Sequence, residues 1–183
     1  MKTLVLSAVA LASLGIAASA AEPFALTSSS FKEGAVMDRK YAGNLANNPN
    51  CIGQNISPEL KWTGTPAAAK SLVIVVSDWE GGGGFGSHHL LAYNIAPTVT
   101  GFSEGELAKA SDKFTGGKES GGTMAYRGPC PPAGIGNHHY LFTVIATDLA
   151  PGSLPAGLNR DELWEKLKGH TKGAAGLFGL FGH

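Results

Sequence analysis

The residues best suited to chemistry sit at the ends of apolar runs. Asp78 closes "SLVIVVSD", His88 and His89 open "HHLLAYNI", and His138, His139 and Tyr140 open "HHYLFTVIATDL". Such runs read as strands, and side chains alternate across a strand. His138 and Tyr140 therefore share one face while His139 points to the other, and His88 and His89 point opposite ways. At most one histidine of each pair faces a given pocket. An imidazole there can move a proton or carry charge for an anion, and an acid beside it can hold its ring. By count, four histidines and an acid suggest zinc. Neighbouring strand positions cannot chelate one ion from the same face, however, and the chain has neither a helical H-x-x-x-H nor a C-x-x-C. This reading expects no metal site and no cofactor. The glycine run Gly81–Gly84 lacks the Gly-Lys-Ser/Thr that would make it a phosphate loop.

The third strand follows a stiff loop, "YRGPCPPAGIGN", in which Pro129, Pro131 and Pro132 fix backbone angles and glycines allow close turns. Such a loop is a preformed wall that a ligand need not order on binding.

Other elements must position these groups. Ser71–Asp78 is an apolar, β-branched run without polar alternation, which belongs mid-sheet with both faces covered. Leu60–Trp62 reads as a short strand after an Asn-, Pro- and Gly-rich loop, and Phe24–Asn44 holds one or two edge strands. Gly101–Thr123 is long and polar, with a short helix expected near Ser103–Ala110. Asn159 and Glu162 form a capping box, Leu158 and Leu163 a staple, and Leu163, Trp164 and Leu167 an apolar stripe, so a helix begins there and stops at Gly169. "KGAAGLFGLFG" is a last strand or a flap.

With 183 residues, no repeat and no linker, one domain is the simplest organisation. Lysine plus arginine and aspartate plus glutamate stand at 14 each, without a basic run, which argues against nucleic acid as a partner. Twenty-six glycines and ten prolines favour β architecture. Residues 1–20, "MKTLVLSAVALASLGIAASA", have one lysine, an apolar core and a small-x-small end, the pattern of a secretory signal. An N-terminal anchor is the alternative, for which the apolar core is short. The expectation is a mature domain of residues 21–183, periplasmic or secreted, without a transmembrane segment. Export gives the two cysteines, Cys51 and Cys130, a disulfide as their expected state, with separate buried thiols as the alternative.

"NISPELKW", "SLVIVVSDWE", "HHLLAYNI" and "YRGPCPPAGIGNHHYLFTVIATDL", in that order, resemble the phosphatidylethanolamine-binding proteins, also called Raf-kinase-inhibitor-like proteins, in their bacterial branch. The resemblance runs from about Phe31 to Phe181. It implies a mainly β fold, with a large central sheet packed on a smaller one and a few flanking helices. It also implies a small pocket for anions such as phosphate groups. Asp78 matches the first aspartate of an Asp-Pro-Asp-Ala-Pro motif, His89 the second of a paired-histidine strand start, and Pro131 and Pro132 the loop prolines. His138 and Tyr140 match the ends of a His-Arg-Tyr triplet. Two departures stand out: Asp78-Trp79-Glu80-Gly81-Gly82 loses both prolines and makes Glu80 a looser rim residue, and His139 replaces an arginine.

The expected ligand-binding set is Asp78, Glu80, His89, Pro131, Pro132, His138 and Tyr140. The expected function is a non-catalytic exported protein that binds a small anion or phospholipid head group and can act as an inhibitor of a partner protein. The alternative is a phosphoester hydrolase with a histidine general base.

Overall fold

The computed structural model describes residues 22–183. The secretory-signal reading of residues 1–20 lies outside the described residues.

The chain forms two antiparallel sheets. The smaller has the order β1 (Ala25–Thr27), β2 (Leu60–Thr63) and β5 (Gly101–Phe102). The larger has the order β6–β4–β3–β7–β8, with β3 Ser71–Asp78, β4 Ser87–Ile95, β6 Thr115–Gly116, β7 His138–Thr147 and β8 Thr171–Phe181. The mainly β, two-sheet architecture is thus as expected. The segment before Asn44 supplies β1, an isolated bridge between Val36 and Leu180, and a 3-10 helix at Arg39–Tyr41. In the Gly101–Thr123 stretch the short helix expected near Ser103–Ala110 is a 3-10 helix at Glu106–Ala108, between β5 and β6.

β3 is central, paired with β4 on one side and β7 on the other. Leu72, Ile74 and Val76 pack into the core between the sheets, with Trp62 and Phe102. Val73 faces the opposite way, into a second core with Leu91, Tyr93, Leu163 and Leu167. The second cover comes from the helix Arg160–Leu167, whose Asn159–Glu162 capping box is formed as the residues demand. Trp164 departs from the expected stripe: it is 55% exposed, because Leu163 and Leu167 already fill the face turned to the sheet.

Two local devices aim the site. In β4 the pairing runs Val76 with Leu90 and then Ser77 with His88, so the register slips past His89. An uninterrupted strand would put His88 on the face of Leu90 and Asp78; the bulge turns His89 there instead. The second device is the clamp on the stiff loop. Cys51 and Cys130 are joined in a disulfide with Cα atoms 4.6 Å apart. Asn55 donates to the Tyr126 carbonyl (3.2 Å) and accepts from the Gly128 N–H (2.8 Å). Asn55 has φ +57°, a left-handed conformation that asparagine tolerates better than most side chains.

Candidate functional site

Asp78 lies opposite Tyr140 in the β3–β7 register, so its side chain shares a face with Tyr140 and, two residues earlier, His138. Together with the bulged His89, these residues come to one end of the large sheet. The Gly81–Gly84 turn, in which Gly82 and Gly83 have φ +61° and +72°, closes one side. The proline loop closes the other. Between them is a cavity of about 400 Å³ whose lining includes Asp78, Glu80, His89, Pro131, Pro132 and His138.

The hydrogen bonds define the tautomers. The His89 Nδ1–H donates to the Arg127 carbonyl at 2.6 Å, since a carbonyl can only accept. The His138 Nδ1–H donates to both Asp78 oxygens, at 3.0 and 2.9 Å. Asp78 Oδ1 also accepts the Glu80 and Gly81 N–H groups at 3.0 and 2.9 Å. Asp78 therefore holds the His138 ring, and both histidines keep Nε2 outside these bonds. Burial, above all, pushes the His89 pKa below the ordinary imidazole value; the nearby Arg127 charge adds to this, while its bond to the Arg127 carbonyl and the charges of Asp78 and Glu119 oppose it.

Tyr140 sits behind the wall and not among the cavity-lining residues. It is 1% exposed, lies in near-parallel register with the His138 ring and edge-on to His89, and its hydroxyl has no hydrogen-bond partner. Burial, and then the charge of Asp78, raise its pKa, so it stays a donor. Glu80 stands at the mouth. One of its oxygens accepts the His139 backbone N–H at 2.8 Å and the other its Nδ1–H at 2.7 Å. Burial alone would raise the Glu80 pKa, but these bonds outweigh it and leave the value lowered.

Sequence reasoning missed Arg127, Ser87, Asn48 and Ile135 in the lining. Arg127 was legible only as the residue before the Gly-Pro-Cys turn; its place follows from a pair with Glu119, Nε to Oε2 2.6 Å, whose side chain is fully buried. Burial would raise the Glu119 pKa, yet N–H groups of Gly121 and Thr123 and the guanidinium together lower it. Sequence reasoning finds no Gly-x-Ser-x-Gly elbow for a serine nucleophile, and this is a misreading, since Gly101-Phe102-Ser103-Glu104-Gly105 has that spacing. Ser103 is exposed, and the surface hollow it borders is lined by no histidine. As possible metal ligands, Asp78, Glu80 and His138 each bring one ligand atom within 4.8 Å of the others.

A family model described as phosphatidylethanolamine-binding protein matches residues 27–182, and the chain belongs to that family. A UPF0098 protein of Methanothermobacter thermautotrophicus is 36% identical over 141 residues, which cover 76% of this chain and 91% of the relative. LppC of Mycobacterium tuberculosis, whose name marks it as a candidate lipoprotein, is 34% identical over 164 residues, covering 90% of this chain and 75% of LppC. Among solved structures, YbcL of E. coli, described as a member of the mammalian PEBP family, matches with a TM-score of 0.79 at 26% identity, over 87% of this chain and 98% of its own. CT736 of Chlamydia trachomatis, a phosphatidylethanolamine-binding protein homologue by its name, matches with a TM-score of 0.74 at 30% identity, over 87% and 97%.

Proposed function

We propose that this chain is an exported, non-catalytic binding protein whose cavity takes a phosphate-bearing small molecule or lipid head group. The observation that carries the reading is the pair of imidazoles at the cavity wall. Each has Nδ1 tied to a fixed acceptor, so each protonated ring offers Nε2–H as a charged donor to a phosphate oxygen. Arg127 is the one fixed cation among the lining residues. Asp78 orients the ring instead of meeting the ligand. Catalysis would need an activated nucleophile. Ser87 is the only hydroxyl in the described lining, and the histidine hydrogen bonds of the wall go to Asp78 and the Arg127 carbonyl, not to it. The disulfide and the likeness to LppC support export.

Calorimetric titration with glycerophosphoethanolamine tests this reading, because a phosphodiester has no proton of its own to lose in the range. Free His89 is neutral at pH 7, its pKa lying below the ordinary value of about 6.5, and ligand binding favours its protonated form. Affinity is therefore expected to rise as pH falls from 8 and to keep rising below 6.5. His138→Ala is expected to cost about 1–3 kcal/mol, the range for a hydrogen bond to a charged group. Affinity that is flat with pH and unchanged in His138→Ala would remove the assignment. Measurable phosphoester turnover would replace it with the hydrolase alternative.

A further inference from the structure

His88 is the strand-end histidine that the Asp78 cavity leaves out. The register slip that turns His89 inward leaves His88 on the outer face of the large sheet, paired with Ser77 of β3. Ser77 in turn pairs with Leu141 of β7, and Val75, two residues back, lies between Leu91 and Thr143. Ser77 and Val75 alternate with Asp78 and Val76, so this face is turned away from the cavity. The helix Arg160–Leu167 covers only part of it. β8 opposes Thr143 and Ile145 with Gly176 and Ala174, whose small side chains add no cover. Beside the helix a hollow of about 420 Å³ stays open, a size within the range of small-molecule sites.

Its lining is polar at one end only. Ser77, His88 and Arg160 meet there: the first two are cross-strand partners, and the charge of the third acts on the His88 ring. Away from them the walls are apolar, with Val75 and Ile145 on the sheet side and Leu163, Trp164 and Leu167 on the helix. From Leu141 to Ile145 the strand runs roughly 13 Å. No acidic residue is among the described residues of the lining. Trp164 is half in water at the rim, so its indole has area left to bury on a ligand. The His88 backbone N–H is bonded to Ser120 Oγ at 2.8 Å, but its ring is bonded to no described residue.

We infer that this hollow is a second ligand site, for a small amphipathic carboxylate whose apolar body lies against Trp164, Leu163 and Ile145 and whose charge meets Arg160, His88 and Ser77. The sign of the charge sets the class. Burial, and then the Arg160 charge, hold the His88 pKa below the ordinary imidazole value, with Asp161 opposing. The ring is therefore neutral at pH 7, and Arg160 supplies the charge at this end. Its guanidinium is bonded at 2.8 Å to Asp161, the next residue on the helix, but both side chains are exposed and such pairs are worth little. A ligand carboxylate can share that guanidinium, and the Ser77 hydroxyl and the His88 ring add neutral donors.

The hollow lies across the sheet from the Asp78 cavity, so either site can fail while the other stands. The test is calorimetric titration of the purified, disulfide-intact protein with octanoate and with octanol at pH 7.5. Saturable binding of one octanoate per chain is expected, with octanol weaker by at least about threefold because it brings no charge to Arg160. Arg160→Gln is expected to remove that difference, and Trp164→Ala to weaken both ligands. Both side chains are largely exposed, which spares the core. Amide NMR of wild type covers the case in which a variant does not fold, and octanoate is expected to shift the signals of Thr143, Ile145 and Trp164. Absence of saturable binding, octanol binding as tightly as octanoate, or shifts centred on the Gly81–Gly84 turn and the proline loop overturns the inference. A dimer that Trp164→Ala dissolves, seen by sedimentation, also overturns it, since a second copy would then cover this face.

Discussion

Tyr140 carries a buried hydroxyl without a partner, and Trp62 Nε1 shares that condition. An unsatisfied buried donor costs about 1–3 kcal/mol, so its removal costs the empty protein little. Tyr140→Phe is expected to leave the thermal midpoint unchanged or higher, while weakening phosphodiester binding if the hydroxyl donates to the ligand. A clear drop in stability would show that the hydroxyl has a partner in the empty protein. His89 makes a second expectation. Its folded pKa is depressed, mainly by burial, against an unfolded value of about 6.5. The unfolded chain then binds the extra proton first. The stability that comes from keeping His89 neutral is fully present above about pH 6.5 and is lost as pH falls towards the lower folded pKa. The charges facing the ring are Asp78 from β3, Arg127 from the proline loop and Glu119 from the polar segment before it. Urea unfolding at pH 7.5 and pH 5.5 is expected to show a larger acid loss in wild type than in His89→Gln. Equal losses would place the acid sensitivity elsewhere.

Among the elements, the proline loop is the most constrained. A Cβ added at Gly128 would lie 2.2 Å from the Tyr41 carbonyl oxygen and 2.5 Å from the Ala42 carbonyl carbon, so only glycine lets the two loops approach this closely. The Pro129 carbonyl accepts the Gly43 N–H at 2.9 Å, and Cys130 is bridged to Cys51. The bridge closes a sequence separation of 79 residues, and in the chain-entropy account this stabilises the fold by about 4.5 kcal/mol as an upper figure. Cys51→Ser/Cys130→Ser is expected to lower the denaturant midpoint and to weaken phosphodiester binding, because the cavity wall loses its anchor. A lower midpoint with unchanged affinity would show that the asparagine and glycine contacts hold the wall by themselves.

For the whole molecule, the small-x-small sequence Ala18-Ser19-Ala20 at the end of the apolar run predicts cleavage before Ala21. Cleavage there would leave the mature chain starting at Ala21. It would remove Lys2 and no acidic residue, moving the formal net charge from zero to −1. Intact-mass measurement of the protein recovered from the cell envelope or medium checks this, and retention of residues 1–20 would count against cleavage. Among the described residues no helix is long and apolar enough to cross a membrane.

Local chemistry determined much of this protein. The β-branched run Ser71–Asp78 had to be a doubly covered central strand, and Asn159 with Glu162 had to start a helix, because these choices depend on neighbours within a few residues. The gathering of Asp78, His89, His138 and the proline loop was legible through the resemblance. Alternation alone left open which histidine of each pair turned inward. Tertiary structure decided that point: the register slip at His89 depends on how β4 must pair with β3, and no residue within β4 records it. Arg127 likewise enters the cavity lining although nothing beside it in sequence points there; its partner Glu119 is eight residues away and wholly buried. The 3.9 Å approach of His89 Nε2 to Asp78 exists only once two strands meet, so it could be read from the assembled sheet and not from the spacing of histidines along the chain.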